Sequence, residues 1–358
     1  MSDRCFIIAE AGVNHNGSLD LAMQLVDVAA DAGADAVKFQ TFRAEHLVTA
    51  QAKKAEYQVA NTQSDGGQMA MLKALELKPE DHAALVQRCS ERGIRFMSTA
   101  FDAASLAFLG TLDMPALKIP SGDITAAPLL LLAARLGQPL IVSTGMSTLA
   151  DIEAALGVLA YGLTREGEPS GRADTEAAFA SEEGQAALRA FVTLLHCVTQ
   201  YPAPPEAVNL RAMGTMAAAF GLPVGYSDHT LGIEISLAAV ARGACVIEKH
   251  FTLDRAMPGP DHAASLVPTE LAQLVAGIRR IEQALGSPRK QPAEAEFPNR
   301  AVARRSIVAA RPIRAGEPLT ADMLAVKRPG TGVSPLDWWD VLGRPARRDY
   351  DADELIDR

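Results

Sequence analysis

Short apolar runs rich in β-branched residues alternate along most of the chain with longer stretches whose apolar positions recur at helical spacing. The runs lie near residues 5–10, 35–40, 94–99, 116–120, 139–143, 192–197, 223–227 and 244–249, and each is predicted to be a strand. The amphipathic stretches include Leu19–Asp31, Pro79–Arg92, Leu149–Leu159, Leu210–Phe220, Ile233–Ala241 and Thr269–Leu285. Gly33, Gly93, Gly137 and Gly243 each close a helical stretch just before a strand, which is the chemistry of a helix C-terminus. Strands that alternate with helices imply a parallel sheet. Eight such units over residues 1–285 predict a (β/α)8 barrel of the TIM type. An open, doubly wound sheet is the alternative. However, Gly12–Gly17 after the first run lacks the spacing of a dinucleotide-binding turn.

Two segments fall outside this rhythm. Arg43–Leu77 is polar, contains Ser64-Asp65-Gly66-Gly67, and reads as a long connection after the second strand. On a barrel such connections lie on the active-site face, so a lid is expected there. Tyr161–Glu183 follows the fifth helix and belongs to the opposite face, where a structural or disordered role is expected. After Leu285 the pattern breaks, and residues 286–300 read as a linker. Residues 301–358 are turn-rich and make a second domain small enough to be marginal alone, so it is expected to lean on the barrel or on another subunit.

Composition narrows the class. The 358 residues are 48% hydrophobic and 22% charged, with a net charge of −9. The acidic balance argues against general nucleic-acid affinity, although an anionic substrate is compatible with cations gathered in one pocket. Four cysteines, Cys5, Cys89, Cys197 and Cys245, have no paired spacing and are expected to be reduced thiols. The N-terminal run is too short for a signal peptide. The longest apolar run, Ala126–Ala134, is far below the ~20 residues of a membrane span, so no membrane role and a cytoplasmic protein are expected.

Barrel active sites form at the C-terminal ends of the strands. Polar residues gather at every such end: Glu10, Asn14 and His15; Lys38 and Gln40; Ser98 and Thr99; Lys118, Ser121 and Asp123; Ser143 and Thr144; His196, Thr199 and Tyr201; Ser227, Asp228 and His229; Glu248 and His250. Lys38 and Lys118 sit in otherwise apolar strands and need a partner. That partner is either a substrate or an internal carboxylate such as Glu10 or Glu248. A lone serine at Ser121, Ser143 or Ser227 would default to capping a helix. Beside two lysines, the three hydroxyls point to an anion site. His229 and His250 end what are predicted to be neighbouring strands, about 4.8 Å apart, and are candidate ligands for a divalent cation. The remaining carboxylates would handle protons. The set describes metal-assisted chemistry on a phosphorylated or carboxylated substrate.

Several stretches carry a resemblance. Ile8–Gly17, Val37–Thr41, Leu117–Asp123, Ser143–Met146, Leu195–Pro202, Gly225–Thr230, Glu248–Thr252 and Pro258–Asp261 resemble the sialic acid (nonulosonic acid) synthase family, in order and over nearly the whole chain. Val326–Gly332 resembles that family's antifreeze-like (SAF) domain. The resemblance implies a transferase that condenses phosphoenolpyruvate with an N-acetylated mannose-type sugar, giving a nine-carbon 2-keto acid and phosphate. It also implies Mn2+, or Mg2+ or Co2+, held by His229 and His250. Lys38 and Ser143 match positions that meet the phosphoenolpyruvate carboxylate; Lys118, Ser121 and Ser227 match the phosphate cradle. Glu10, Tyr201 and Asp261 match sugar contacts. Arg328 matches an arginine that closes the partner subunit's site, which implies a domain-swapped homodimer.

Three features depart from the family pattern. Asp123 stands where a glutamate is usual, a carboxylate assigned to proton handling at the C2 centre, and Thr199 replaces an asparagine of the phosphate site. The Tyr161–Glu183 insertion is absent from shorter sialic acid synthases. With Tyr201–Pro204, Val208–Leu210 and Ser334–Trp338, it is closer to the branch that includes N,N'-diacetyllegionaminate synthases, whose 6-deoxy sugar carries acetamido groups at positions 2 and 4. That substrate is slightly favoured over N-acetylmannosamine, the substrate of N-acetylneuraminate synthase. A metal-dependent hydrolase would leave the two lysines without a role, and a sugar- or ice-binding module would not need polar residues at eight strand ends.

Overall fold

The computed structural model describes residues 4–55, 58–59, 61 and 67–357. Eight parallel strands close into a barrel in sequence order: β1 (Phe6–Gly12), β2 (Ala36–Thr41), β3 (Arg95–Ala100), β4 (Leu117–Ile119), β5 (Leu140–Ser143), β6 (Val192–Cys197), β7 (Val224–Asp228) and β8 (Val246–His250). β8 pairs back onto β1, from Phe6 opposite Val246 to Glu10 opposite His250. All the expected strands are present, and the open-sheet alternative is excluded.

Strand alternation divides each strand between two environments. Val37, Phe39, Leu117, Leu194, Tyr226 and Ile247 belong to the core shared with the surrounding helices. Ile8, Ala36, Met97, Ala116, Ile141, Leu195 and Val246 form a separate cluster, one residue from each of seven strand segments, that fills the barrel interior. In β7 the corresponding position is Gly225, where a Cβ would come within 2.5 Å of the Val246 carbonyl oxygen, so the interior has no room for a side chain.

Helices cover the outside. Leu19–Asp31 and Pro79–Arg92 match their expected ranges. The second ends at Gly93, whose φ of 68° is a left-handed conformation that favours glycine. The helix from Leu149 runs on to Thr164 and starts with a Thr148–Asp151 capping box. Two helices, Ala103–Leu109 and Ala127–Arg135, lie beyond the periodic stretches named from sequence. Ala127–Arg135 is buried on several sides, with Leu129, Leu130, Leu131, Ala133 and Ala134 all inside, so it has little amphipathic contrast.

Of the structural and disordered readings of Tyr161–Glu183, the structural one holds. Helices Arg172–Ala180 and Glu182–Phe191 fill this region, with Thr175, Ala178 and Leu188 buried. Gly157 on the preceding helix lets them approach, since a Cβ there would stand 3.0 Å from the Thr175 carbonyl oxygen. The segment after β2 carries helices Ala44–Leu47 and Gln68–Ala74, while Ser64–Gly66 lie outside the described residues.

The chain divides into two compact units, Met1–Gly286 and Ser287–Arg358. In the second, β9 (Ser306–Ala309) and β10 (Leu324–Lys327) pair antiparallel. They share a core with Leu319, Val333, Tyr350 and Ile356. The stretch read as a linker includes the start of a short helix, Phe297–Ala303. All four cysteines are free, Cys5, Cys89 and Cys197 being buried. Among the described residues, no helix is long and apolar enough to cross a membrane.

Candidate functional site

Two residues beyond the apolar interior layer, the same inward phase of each strand becomes polar. Ile8 leads to Glu10, Ala36 to Lys38, Met97 to Thr99 and Ala116 to Lys118; Ile141 leads to Ser143, Leu195 to Cys197, Gly225 to Ser227 and Val246 to Glu248. All eight line one cavity of about 280 Å³. A further step of two brings Gln40, Phe101, Thr199, His229 and His250 to the same wall. Register then sets the neighbours: Glu10 lies between Lys38 on β2 and His250 on β8, Thr99 beside Lys118, and Ser227 beside Glu248.

The floor is a buried charge network. Lys38 Nζ lies 2.7 Å from Glu10 Oε2 and 3.5 Å from Glu248 Oε2, and donates to Thr99 Oγ1 at 2.7 Å. Lys118 Nζ donates to Ser143 Oγ at 2.8 Å and stands 3.7 Å from Glu248 Oε1. Ser227 Oγ donates to the same Glu248 oxygen at 2.8 Å. The lysines are therefore paired with internal carboxylates, one of the two partners expected from sequence, and they also line the cavity.

Burial opposes charge on every member, but the compensation is unequal. For Glu248, burial alone would raise the pKa; the fields of Lys118 and Lys38 and the Ser227 hydroxyl outweigh it and hold the group well below the usual carboxylate range. Glu10 is pushed up by burial, which its main counter-charge, Lys38, does not overcome. Lys118 is pulled down by burial, whereas Glu10 and Glu248 overcome the same effect at Lys38 and raise it. The result is a firmly charged carboxylate between two lysines, with Glu10 the group closer to accepting a proton.

At the rim, the His229 and His250 ring centroids are 5.6 Å apart, and Tyr201 lies 4.1 Å from the His229 ring. Nδ1 of His229 donates to the Val198 carbonyl at 2.7 Å, which leaves Nε2 with its lone pair. His250 Nδ1 is buried without a hydrogen-bond partner among the described residues. Burial lowers the pKa of both imidazoles and keeps them neutral, the form that binds metal. This donor set fits a divalent ion. Among the described residues, no cluster of three or more His, Cys, Asp or Glu side chains is placed to hold one.

Ser121 accepts from the Gly145 N–H at 3.0 Å, and its Oγ is 3.0 Å from Cys197 Sγ. A Cβ at Gly145 would lie 2.3 Å from Thr199 Oγ1 and 2.8 Å from Ser121 Oγ, so glycine is what allows these groups to converge. Asp261 is buried on the cavity wall and is pushed up to about 6 by that burial.

Of the residues expected from sequence, Glu10, Lys38, Lys118, Ser121, Ser143, Thr199, Tyr201, Ser227, His229, His250 and Asp261 line this cavity. Asp123 is not part of its lining. It is half-buried in the short turn Ser121–Asp123, burial pushes it up to about 6, and its Oδ2 has no hydrogen-bond partner among the described residues. Arg328 lies in the second unit, where its Nε donates to the Ala303 carbonyl at 3.1 Å. Not every polar strand end faces the cavity: His196 bonds the Val208 carbonyl, Thr144 bonds the Leu195 carbonyl, and Ser98 bonds Thr41. Of the other lining residues, Gln40, Thr99 and Glu248 are among the polar strand ends named from sequence, Glu248 also as a partner for the lysines, whereas Cys197 is expected there only as a reduced thiol. Counting by two from the interior layer identifies all four. A larger cleft, about 720 Å³, lies among helices Ala127–Arg135, Leu149–Thr164 and Arg172–Ala180, but no lysine or histidine lines it.

The chain is similar to known proteins over nearly its whole length. A sequence model of the NeuB family matches residues 25–290, and one of the SAF domain matches residues 304–357. The chain is 46% identical to N,N'-diacetyllegionaminic acid synthase of Campylobacter jejuni over 353 residues, 99% of both chains. It is 48% identical to N,N'-diacetyllegionaminic acid synthase of Legionella pneumophila over 339 residues, 95% of this chain and 89% of that one. Among solved structures, the N-acetylneuraminic acid (sialic acid) synthetase of Leptospira borgpetersenii is similar, with 35% identity and a TM-score of 0.67 over 83% of this chain and 90% of that one.

Proposed function

The chain belongs to the NeuB family, and on that premise we propose that it is a phosphoenolpyruvate-dependent nonulosonic acid synthase whose sugar is the 2,4-diacetamido-6-deoxy mannose type, giving N,N'-diacetyllegionaminate and phosphate. The observation that carries this reading is the cavity itself. It sets two buried lysines and a ring of hydroxyls against a pair of neutral histidines, an anion site beside an electrophile site. The two full-length relatives named for this reaction support the choice of sugar over N-acetylmannosamine.

In this reading C3 of phosphoenolpyruvate attacks the open-chain aldehyde, a new carbon–carbon bond forms, and the aldehyde oxygen takes up a proton. Water adds at C2, and the C2–O bond to phosphate then breaks from the tetrahedral centre. Lys38 and Ser143 hold the carboxylate, while Lys118, Ser121 and Ser227 hold the phosphate; Thr199, on the same wall, offers a further hydroxyl. Charge-assisted hydrogen bonds in a buried site are strong enough to orient both groups. Glu10, Tyr201 and Asp261 face the sugar. Glu10, already pushed toward its protonated form by burial, is the carboxyl best suited to exchange a proton there. Asp123 is assigned the same part near C2; it stands on the turn beside Ser121, outside the cavity lining, and has to turn inward to take it. His229 and His250 hold a divalent cation, Mn2+ in first place, which when bound supplies a Lewis acid for the aldehyde. Arg328 closes the site of a partner subunit in a domain-swapped homodimer.

The test is a product assay with phosphoenolpyruvate, Mn2+ and each candidate sugar in turn. Phosphate release should require both substrates, with kcat/KM higher for the diacetamido sugar. A preference for N-acetylmannosamine would assign the chain to the neuraminate branch instead. Phosphate release from a sugar ester alone would mark a hydrolase.

A further inference from the structure

Directly behind the two histidines, on the outer side of the barrel wall, lies a second ion pair for which the reaction has no use. Lys249 Nζ is 2.9 Å from Asp228 Oδ2, and both side chains are fully buried. The two residues face each other in the β7–β8 register, and each immediately precedes a histidine, His229 or His250. By strand alternation they point away from the cavity, toward helix Glu234–Ala241. Asp228 Oδ1 accepts from the Thr230 N–H at 2.9 Å and from its hydroxyl at 2.8 Å, and Oδ2 accepts from Ser236 Oγ at 2.6 Å. Lys249 also donates to the Thr230 carbonyl.

A buried ion pair is a poor source of net stability, because desolvation cancels much of the attraction. What it supplies is geometry: two strand tips cannot slide or splay without breaking it. The histidines differ in how much they need this. His229 is fixed by its own bond to Val198 and by the Tyr201 ring. His250 Nδ1 has no hydrogen-bond partner among the described residues and its ring meets Tyr201 only edge-on, 5.8 Å between ring centres, so it depends more on the strand that carries it.

We propose that Asp228 and Lys249 are positioning residues that lock the tips of β7 and β8 together and so set the separation at which His229 and His250 bind a divalent cation. The inference rests on the metal role given to the histidines above.

The experiment measures Mn2+ affinity directly, by calorimetry or electron paramagnetic resonance, in the full-length chain, alongside the thermal midpoint. Lys249→Met strands a buried carboxylate and should lower both. The double variant Asp228→Asn with Lys249→Met is neutral and nearly isosteric, and it keeps an acceptor for Thr230. It should recover most of the thermal midpoint while Mn2+ binding stays at least about tenfold weaker, the scale typical of lost outer support for a metal ligand. Recovery of wild-type Mn2+ affinity along with stability would overturn the proposal, since the pair would then be only structural. If the double variant does not fold, Asp228→Asn alone decides by the same criterion. His229→Ala is the control. If it still binds Mn2+ at wild-type affinity, the metal reading and the clamp fall together. If it loses binding while the neutral pair binds normally, the clamp alone falls.

Discussion

Glu248 shows how a single side chain organises the cavity floor. It touches Ser227 and stands near both lysines, so it retains its charge, while Glu10 answers mainly to Lys38. Lys118 sits between Glu248 and Ser143. Lys118→Ala should therefore raise the KM for phosphoenolpyruvate by about 10- to 100-fold, the scale of a lost charged hydrogen bond, and leave the sugar's KM little changed. Steady-state kinetics with each substrate varied would show this, and an effect confined to the sugar would contradict the phosphate role. Asp261 yields a prediction in pH. Its folded pKa is raised to about 6 from 3.8, so the folded state binds more protons than the unfolded state between those values. Its contribution to stability is therefore present at acid pH and lost as pH rises through about 6. Asp261→Asn should remove that slope and be more stable than the wild type at pH 8 by up to roughly 3 kcal/mol, with no gain at pH 4. Urea unfolding at the two pH values measures the difference, and an equal effect at both would show that the carboxyl is not strained by burial.

At the level of elements, the barrel places its chemistry by a count of two. One inward residue per strand packs the interior, and the next inward residue lines the cavity. The polar strand ends visible in the sequence mix this phase with the outward one. That is why His196, Thr144 and Ser98 stand among the polar strand ends and are bonded elsewhere, while Cys197, a thiol with no polar signal of its own, needed the register to be recognised. The helices inserted between β5 and β6 were obscured for a different reason. Their surfaces are largely polar, and just Thr175, Ala178, Gly184 and Leu188 mark the buried side. Their packing is nevertheless close. At Gly184, in the first turn of Glu182–Phe191, a Cβ would stand 2.0 Å from the Ala178 carbonyl oxygen. Gly184→Ala should destabilise the protein by about 1–3 kcal/mol despite alanine's better helix propensity. A calorimetric scan decides this, and an unchanged midpoint would mean that the insert is not packed as described.

The whole molecule comprises two units with separate cores, Met1–Gly286 and Ser287–Arg358. The first carries every residue that lines the cavity. A chain ending at residue 286 should therefore unfold cooperatively and still bind Mn2+ through its histidines. It should turn over poorly, because the arginine proposed to close the site is at 328. Full turnover by the truncated chain would refute that closing role. Loss of metal binding with retained folding would show that the second unit does more than close the site.

Periodicity and local chemistry were enough to read eight strands, most of the covering helices, the break near residue 286 and a set of polar strand ends, because each depends on neighbours in the chain. Which of those polar groups face one another was settled by barrel closure. The pairing of β8 with β1 joins the two ends of the first unit, setting Glu10 between Lys38 and His250. The register of β7 on β8 places Asp228 opposite Lys249 behind the histidines. A shift of one residue in either pairing would exchange cavity and wall. No stretch of local sequence encodes that choice, because it belongs to strands that are far apart in the chain.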